Sequence, residues 1–427
     1  MTERIAIIAG VRTPFCKGNG VFKDYEADEL GAAAIRELAI RANFPINLID
    51  EVIMGNVLQP PHATNIARVA AVKAGLPESI PAYTVNKNCA SGMEAITNGA
   101  DKIRLGQAEV ILAGGVESMS NVPILFSKSM KDFLMSLQKA KTFTEKLRIF
   151  STFRPSFLKP NVPAIADPLC GLTMGQTAEN LSRDFKITRE AQDEFALRSQ
   201  LRASEATSDG RFTEEIIPLP IPPQYTKMQI VDEGPRSNQT LDALAKLKPV
   251  FDPITGSVTA GNSSPITDGA ACMFLMKEEK AKALGLKPLG YLKEYASAAL
   301  DPSRMGLGPV YATSKLLSKT NHKIEDFDLI EINEAFAAQV LAVLKAFESD
   351  EFARTKLGRD KALGKIDIEK LNVNGGAIAL GHPLGASGAR LILTLLLELR
   401  RRGKRLGLAT LCVGGGQGEA CIVEVES

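Results

Sequence analysis

An α/β fold built from two similar halves follows from three features of the sequence. Short β-favouring runs alternate with helical stretches along most of the 427 residues. That alternation is the pattern of βαβ units with parallel strands and right-handed crossovers. The order polar turn, helix, glycine, strand, Gly-rich turn occurs twice, once over residues 86–115 and once over 372–416. The echo is one of architecture, not of residue identity. Between the two copies lies a stretch of different composition, first basic and then rich in proline. Functional sites in such a fold fall between the halves, at the carboxyl ends of strands.

The elements follow in order. Residues 4–9 read as a buried strand, and Gly10 opens a loop that runs to Phe15. Residues 28–42 make an amphipathic helix with Leu30, Ala34, Leu38 and Ala42 on one stripe. A strand over 49–55, a helix over 63–74 closed by Gly75, and a strand over 80–85 come next. A helix over 90–105 ends at Gly106, and a strand over 109–113 runs into Gly114-Gly115. Residues 121–160 carry eight basic and two acidic side chains, a local charge of +6 interleaved with phenylalanines such as Phe126, Phe133, Phe143, Phe150 and Phe157. This make-up suits a segment that meets a membrane surface or a partner, or a solvated hairpin covering the core. Residues 178–208 are helical, with Thr188 as a start signal, and 214–250 read as irregular. In the last third, a strand over 329–332 leads into Asn333-Glu334-Ala335-Phe336 at a helix start. A helix over 389–402 is closed by Gly403, and a strand over 408–411 runs into Cys412.

Composition narrows the function. The net charge is +2, which gives no reason to expect nucleic acid as a partner. The six cysteines form no CxxC and no metal-ligand spacing, so a reducing compartment is expected. No run of 18 apolar residues occurs, and Met1-Thr2-Glu3 leads straight into a strand, so neither a membrane span nor a leader is expected and the cytoplasm is the default location. No Walker-type or dinucleotide-binding glycine motif is present.

Chemistry concentrates at four places. Cys89, in Asn88-Cys89-Ala90-Ser91-Gly92, sits at a strand-to-helix seam, where unpaired N–H groups and the positive end of the helix favour a thiolate. A lone cysteine more often simply packs; the rest of the chain argues otherwise. The sequence has three histidines. His62 and His322 lie in polar loops and read as surface residues, whereas His382 sits in Gly381-His382-Pro383-Leu384-Gly385-Ala386-Ser387-Gly388, just before a helix. Cys412 opens onto Val413-Gly414-Gly415-Gly416-Gln417-Gly418, whose backbone N–H groups can converge on an anionic oxygen. Asn333 is either a helix cap or a holder of water or substrate oxygen.

These four motifs, in this order, closely resemble those of the thiolases, the acyl-CoA:acetyl-CoA C-acyltransferases, and the likeness spans essentially the whole chain. The resemblance implies the thiolase fold: two βαβ-type halves stacked in five layers (αβαβα) with an inserted loop domain. It divides the chain into residues 1–280, including a loop domain over 121–250, and residues 281–427. It implies that Cys89 is the nucleophile that becomes acylated, that His382 takes its proton, and that Cys412 is the second acid/base. Asn333 would hold a water in one oxyanion hole, and the N–H groups of Cys89 and Gly414 would form another. Ser264 would contact the pantetheine arm of CoA, Met174 would line the acyl pocket, and Arg236 would approach the adenine end. Coenzyme A is then a substrate and no separate cofactor is expected. The long basic insertion is similar to that of the β-subunit of the fatty-acid-oxidation multienzyme complex, although that group usually has His where Asn333 stands. The reading that follows is a degradative 3-ketoacyl-CoA thiolase, with a biosynthetic acetyl-CoA C-acetyltransferase as the alternative. A homodimer or higher oligomer, a hydratase/dehydrogenase α-subunit as partner, and peripheral membrane contact through 121–160 are further expectations.

Overall fold

In the computed structural model, which describes residues 4–160 and 166–426, the apolar runs pair into one continuous sheet and the amphipathic stretches pack on its faces. Residues 1–3, where the absence of a leader was expected to show, lie outside the described residues. The first half runs β1 (Ile5–Arg12), α1 (Ala27–Arg41), β2 (Glu51–Gly55), α2 (Ile66–Lys73), β3 (Ala82–Val85), α3 (Ser91–Arg104) and β4 (Val110–Glu117). The insertion supplies α4 (Lys128–Lys139), α5 (Phe143–Phe150), α6 (Met174–Asp184) and α7 (Arg189–Ser208), and β5 (Thr267–Lys277) closes the half. The second half runs β6 (Gly290–Ala299), α8 (Gly308–Thr320), β7 (Leu329–Ile332), α9 (Ala337–Phe347), α10 (Leu384–Arg401), β8 (Leu406–Val413) and β9 (Gln417–Glu424).

The strand order β7-β8-β9-β6-β1-β5-β4-β2-β3 is symmetric about its centre. There β1 and β6 meet antiparallel, with Ile5, Ala6 and Ile7 opposite Leu292, Tyr291 and Gly290. Outward from this seam each half repeats the same sequence of partners, and a parallel bridge from Ile330 to Leu371 occupies the place that β3 holds in the first half. The halves are mixed and not wholly parallel as expected. Strands β2, β3 and β4 are parallel, as are β7 and β8, but β5 is antiparallel to β4 and β1, and β9 to β8 and β6. The cause is local at β8 and β9. Gly414-Gly415-Gly416 is too short for a crossover, so the chain must return as a hairpin.

Three apolar clusters define the layers. One joins α1 and α2 to the outer face of the first half, and another joins α8 and α9 to the outer face of the second. The third joins α3 and α10 to both inner faces, taking Ile53, Ile111 and Met273 from one half and Ala409, Leu411 and Val423 from the other. Helix α10 is buried from Gly385 through Leu399, on every face, because it has sheet on both sides. It begins at Leu384, five residues before the predicted start. Other limits also move. Strand β1 continues through Gly10 across a bulge, and β4 continues through Gly114-Gly115 to Glu117. The predicted helix over 178–208 is two helices, separated at Lys186 with φ +50° and restarted by the Thr188 cap. In the insertion, α4 and α5 fold around Phe133, whose ring stands 5.4–6.1 Å from those of Phe150, Phe153 and Phe157. Ile124, Phe126, Phe143 and Leu147 face outward. Among the described residues no helix is long and apolar enough to cross a membrane.

Candidate active site

Two helix starts cross at the middle of the molecule, and glycine makes the crossing possible. A Cβ on Gly92 would lie 2.5 Å from the Gly385 carbonyl oxygen, one on Gly115 would lie 1.8 Å from the same atom, and one on Gly388 would lie 2.4 Å from the Met93 nitrogen. Backbone therefore packs on backbone where α3 meets α10. Cys89 precedes α3 by two residues and His382 precedes α10 by two, so each lies just before the point where the two helices cross.

The Cys89 loop is locked from within. Asn88 takes φ +46°, the Lys87 N–H donates to Ser91 Oγ at 2.8 Å, and the Ser91 hydroxyl donates to the Asn88 carbonyl at 2.7 Å. Burial pushes the half-buried Cys89 thiol up to about 11, outweighing the N–H groups of Gly414 and of Cys89 itself, which favour the thiolate; Glu117 adds to the rise. This corrects the expectation of a resting thiolate. The helix end is present, but desolvation exceeds its effect.

His382 is buried and tightly held. Its Nδ1 lies 2.5 Å from Ser387 Oγ, its Nε2 lies 3.3 Å from Asn333 Nδ2, and its backbone N–H donates to Thr267 Oγ1 at 3.2 Å. The single Ser387 proton goes to the Pro383 carbonyl at 2.9 Å, so Ser387 accepts from Nδ1–H. Nε2 is then the unprotonated nitrogen, with the Asn333 amide donating to it. Burial, and after it the charge of Arg390, pushes the imidazole down to about 3, so the ring is neutral at ordinary pH. Asn333 is fully buried at the end of β7, and its Oδ1 has no hydrogen-bond partner. It does not cap a helix, because α9 starts at Ala337 with Phe336 in the cap position. An orphaned buried amide oxygen is a place for a water.

Cys412 lies in β8 against an apolar wall that includes Ala178, Val258, Met305 and Phe336, with Met174 and Phe251 packed beside it. Burial raises its thiol well above the usual range, and the nearby charge of Cys89 adds to the rise, so the two sulfurs lie within electrostatic reach. The turn after Cys412 is pinned at each residue. Asn88 Nδ2 donates to the Gly414 carbonyl at 2.8 Å, the Gly415 N–H donates to Asp167 Oδ2 at 2.7 Å, and the Leu300 N–H donates to the Gly416 carbonyl at 2.7 Å.

The structure thus links Cys89 to Gly414 and Cys412, and His382 to Asn333, on the two helix starts that cross, with Met174 beside Cys412. Ser264 is half-buried, and its N–H donates to the Ala335 carbonyl at 2.9 Å, so its segment lies along Asn333–Phe336. Arg236 is exposed. Its backbone N–H is held by Gln200 at 2.9 Å, and no described contact joins it to the cysteines. His62 and His322 lie against Asp28 and Asp326, away from this cluster. Three partners were not visible in the sequence: Ser387, Asp167 and Glu117. Glu117 is fully buried at the end of β4 and accepts from Asn56 Nδ2 and from the N–H groups of Val57, Leu58 and Gly385, at 2.9–3.1 Å. Burial lifts it to about 7 despite those donors. A carboxylate ending an otherwise apolar strand was the signal available for it.

The chain matches the family models described as the thiolase N-terminal domain, over residues 5–279, and the thiolase C-terminal domain, over 286–425. It is 45% identical to a 3-ketoacyl-CoA thiolase of Photorhabdus laumondii over 425 residues, 99% of this chain and 97% of that one. It is 46% identical to one of Yersinia pestis with the same coverage. Among solved structures it is similar to the Bacillus anthracis acetyl-CoA acetyltransferase, with a TM-score of 0.86, 40% identity and 99% of each chain covered. It is also similar to human mitochondrial 3-ketoacyl-CoA thiolase in complex with CoA, with a TM-score of 0.84, 37% identity, and 100% of this chain and 98% of that one covered.

Proposed function

The chain belongs to the thiolase family, and on that premise we propose that it is a degradative 3-ketoacyl-CoA thiolase, an acyltransferase that cleaves a 3-ketoacyl-CoA with CoA into acetyl-CoA and a shortened acyl-CoA. The observation that carries this reading is the convergence of two sulfurs, a neutral imidazole and a backbone donor at the crossing of α3 and α10. Cys89 gives its proton to His382 Nε2 as the sulfur attacks the 3-keto carbon. Negative charge moves to the oxygen, where the fixed N–H groups of Cys89 and Gly414 face it. The C2–C3 bond then breaks, leaving acyl-Cys89 and an acetyl-CoA enolate that takes a proton from Cys412. The thiol of a second CoA gives its proton to Cys412 and attacks the acyl-enzyme. Cys89 leaves as a thiolate and recovers the proton held on His382. Two thiols and one imidazole suffice because each is neutral at rest. Asn333 Oδ1 holds a water beside Nε2, toward the thioester oxygen of the enolate.

Met174 lines the acyl pocket, Ser264 meets the pantetheine arm, and Arg236 meets the adenine end of CoA. The protein works in the cytoplasm as a homodimer or higher oligomer, beside a hydratase/dehydrogenase α-subunit. The outward-facing phenylalanines and lysines of 121–160 touch the membrane surface. The Bacillus anthracis likeness favours one second reading, a biosynthetic acetyl-CoA C-acetyltransferase. Mass spectrometry after brief exposure to acetyl-CoA and longer acyl-CoAs tests the first reading. The Cys89 peptide should gain each acyl group, and the Cys89→Ser protein should gain none. Cleavage confined to acetoacetyl-CoA in a chain-length series would leave the second reading standing.

A further inference from the structure

The turn that carries the Gly414 N–H contains consecutive left-handed glycines, with φ +87° at Gly415 and +74° at Gly416, a shape with little stiffness of its own. Its direction is set from outside, and one of its anchors comes from the insertion. Asp167 is 5% exposed. Its Oδ2 accepts the Gly415 N–H at 2.7 Å, its Oδ1 accepts the Leu169 N–H at 2.8 Å, and its own N–H donates to the Leu172 carbonyl at 2.8 Å. The carboxylate thus fastens the short loop leading into Met174, the start of α6, to the residue directly after Gly414. A charge-assisted bond of this length is among the stronger restraints a backbone amide can have.

We propose that Asp167 is a positioning residue for the transition-state oxygen: by holding Gly415 it aims the Gly414 N–H, and it ties that aim to the loop that brings Met174 to the acyl pocket. The proposal rests on the acyl-Cys89 reading above. It concerns the oxygen of the reacting carbonyl first: the Cys89 loop keeps its own Lys87–Ser91–Asn88 bonds, and shares with the turn only the Gly414 N–H that favours its thiolate and the Asn88 bond to the Gly414 carbonyl. Two rates separate these roles. Acylation of Cys89 by an acyl-CoA places charge on an oxygen, whereas alkylation by iodoacetamide is a displacement at carbon with no oxyanion to stabilise.

The experiment measures both rates on the intact Asp167→Ala and Asp167→Asn proteins, by quenched-flow mass spectrometry of the Cys89 peptide. Loss of a whole oxyanion donor costs about 100-fold or more, so loss of its aim should slow acylation about tenfold in Asp167→Ala. Alkylation should fall less, by about threefold at most, because the N–H of Cys89 itself still favours the thiolate when that of Gly414 is misaimed. Asp167→Asn keeps one acceptor oxygen, enough for Gly415 or for Leu169 but not for both, and should recover part of the acylation rate. If Asp167→Ala does not fold, Asp167→Ser replaces it with the same two measurements. Acylation at the parent rate overturns the proposal, and so does a parallel fall in acylation and alkylation, which would mean that the whole site has loosened. If the parent protein itself forms no acyl-Cys89, the functional reading fails, not the assignment of Asp167.

Discussion

Alkylation of Cys89 should climb about tenfold per pH unit from pH 6 to pH 10 and bend only near 11, where burial places its thiol. At pH 7 such a thiol carries about one thiolate in ten thousand, against about one in thirty for a free cysteine near 8.5. Forming the thiolate at pH 7 costs about 5 kcal/mol, at 1.36 kcal/mol per unit. A turnover of about ten per second corresponds to a barrier of about 16 kcal/mol, so this cost fits within the barrier. The imidazole does not relieve it in advance, because His382 lies near 3 and holds no positive charge across this range. Proton transfer to Nε2 must accompany attack on the substrate. The assay is the pH dependence of iodoacetamide labelling, read on the Cys89 peptide because Cys170 is also partly exposed. A plateau beginning below pH 8 would mean a preformed thiolate–imidazolium pair and would refute the argument.

Two further outcomes follow from the contacts. Ser387→Ala removes the acceptor of the His382 Nδ1–H and frees the ring to take the other tautomer. With about 1–3 kcal/mol at stake in an unsatisfied buried donor, kcat should fall about tenfold or more while KM moves less than about twofold, which steady-state kinetics will show. Gly115→Ala places a methyl 1.8 Å from the Gly385 carbonyl oxygen and forces the start of α10 away from β4. Overpacking of this kind costs about 1–3 kcal/mol, so the melting temperature should drop together with kcat; an unchanged melting curve would mean that the helix crossing yields easily.

Cys89, His382 and Cys412 were legible as candidates because each sits at a break in a strong pattern, where a strand or turn gives way to a helix or to a run of glycine. Their protonation was not legible. Whether Cys89 rests as thiol or thiolate depends on how much protein surrounds it, and burial is a property of the assembled layers. Ser387 hid inside a helix predicted to begin two residues later, at Ala389, and its bond to His382 exists only because α10 starts at Leu384. Asp167 and Gly415 are 248 residues apart, so no local spacing announces their bond. The antiparallel strands were missed for a related reason. Alternating composition reveals strands, but direction depends on connections, and the return through Gly414-Gly415-Gly416 was read as a turn without the strand beyond it.

The seam between the halves has a consequence for how the chain reaches its native state. Ile5, near the start of the chain, pairs with Lys277 on one side and Leu292 on the other. The opening strand therefore waits, during synthesis, for more than half of the polypeptide before either neighbour exists. Helix α3 waits longer still, since α10 emerges near the end. It can pack early on β2 and β4 of its own half, but the side it turns toward α10 stays uncovered until that helix is made, and partners so distant in sequence assemble slowly. The parallel unit over residues 51–117 can thus form early, while its α10-facing side is the surface most open to aggregation until that helix has been made.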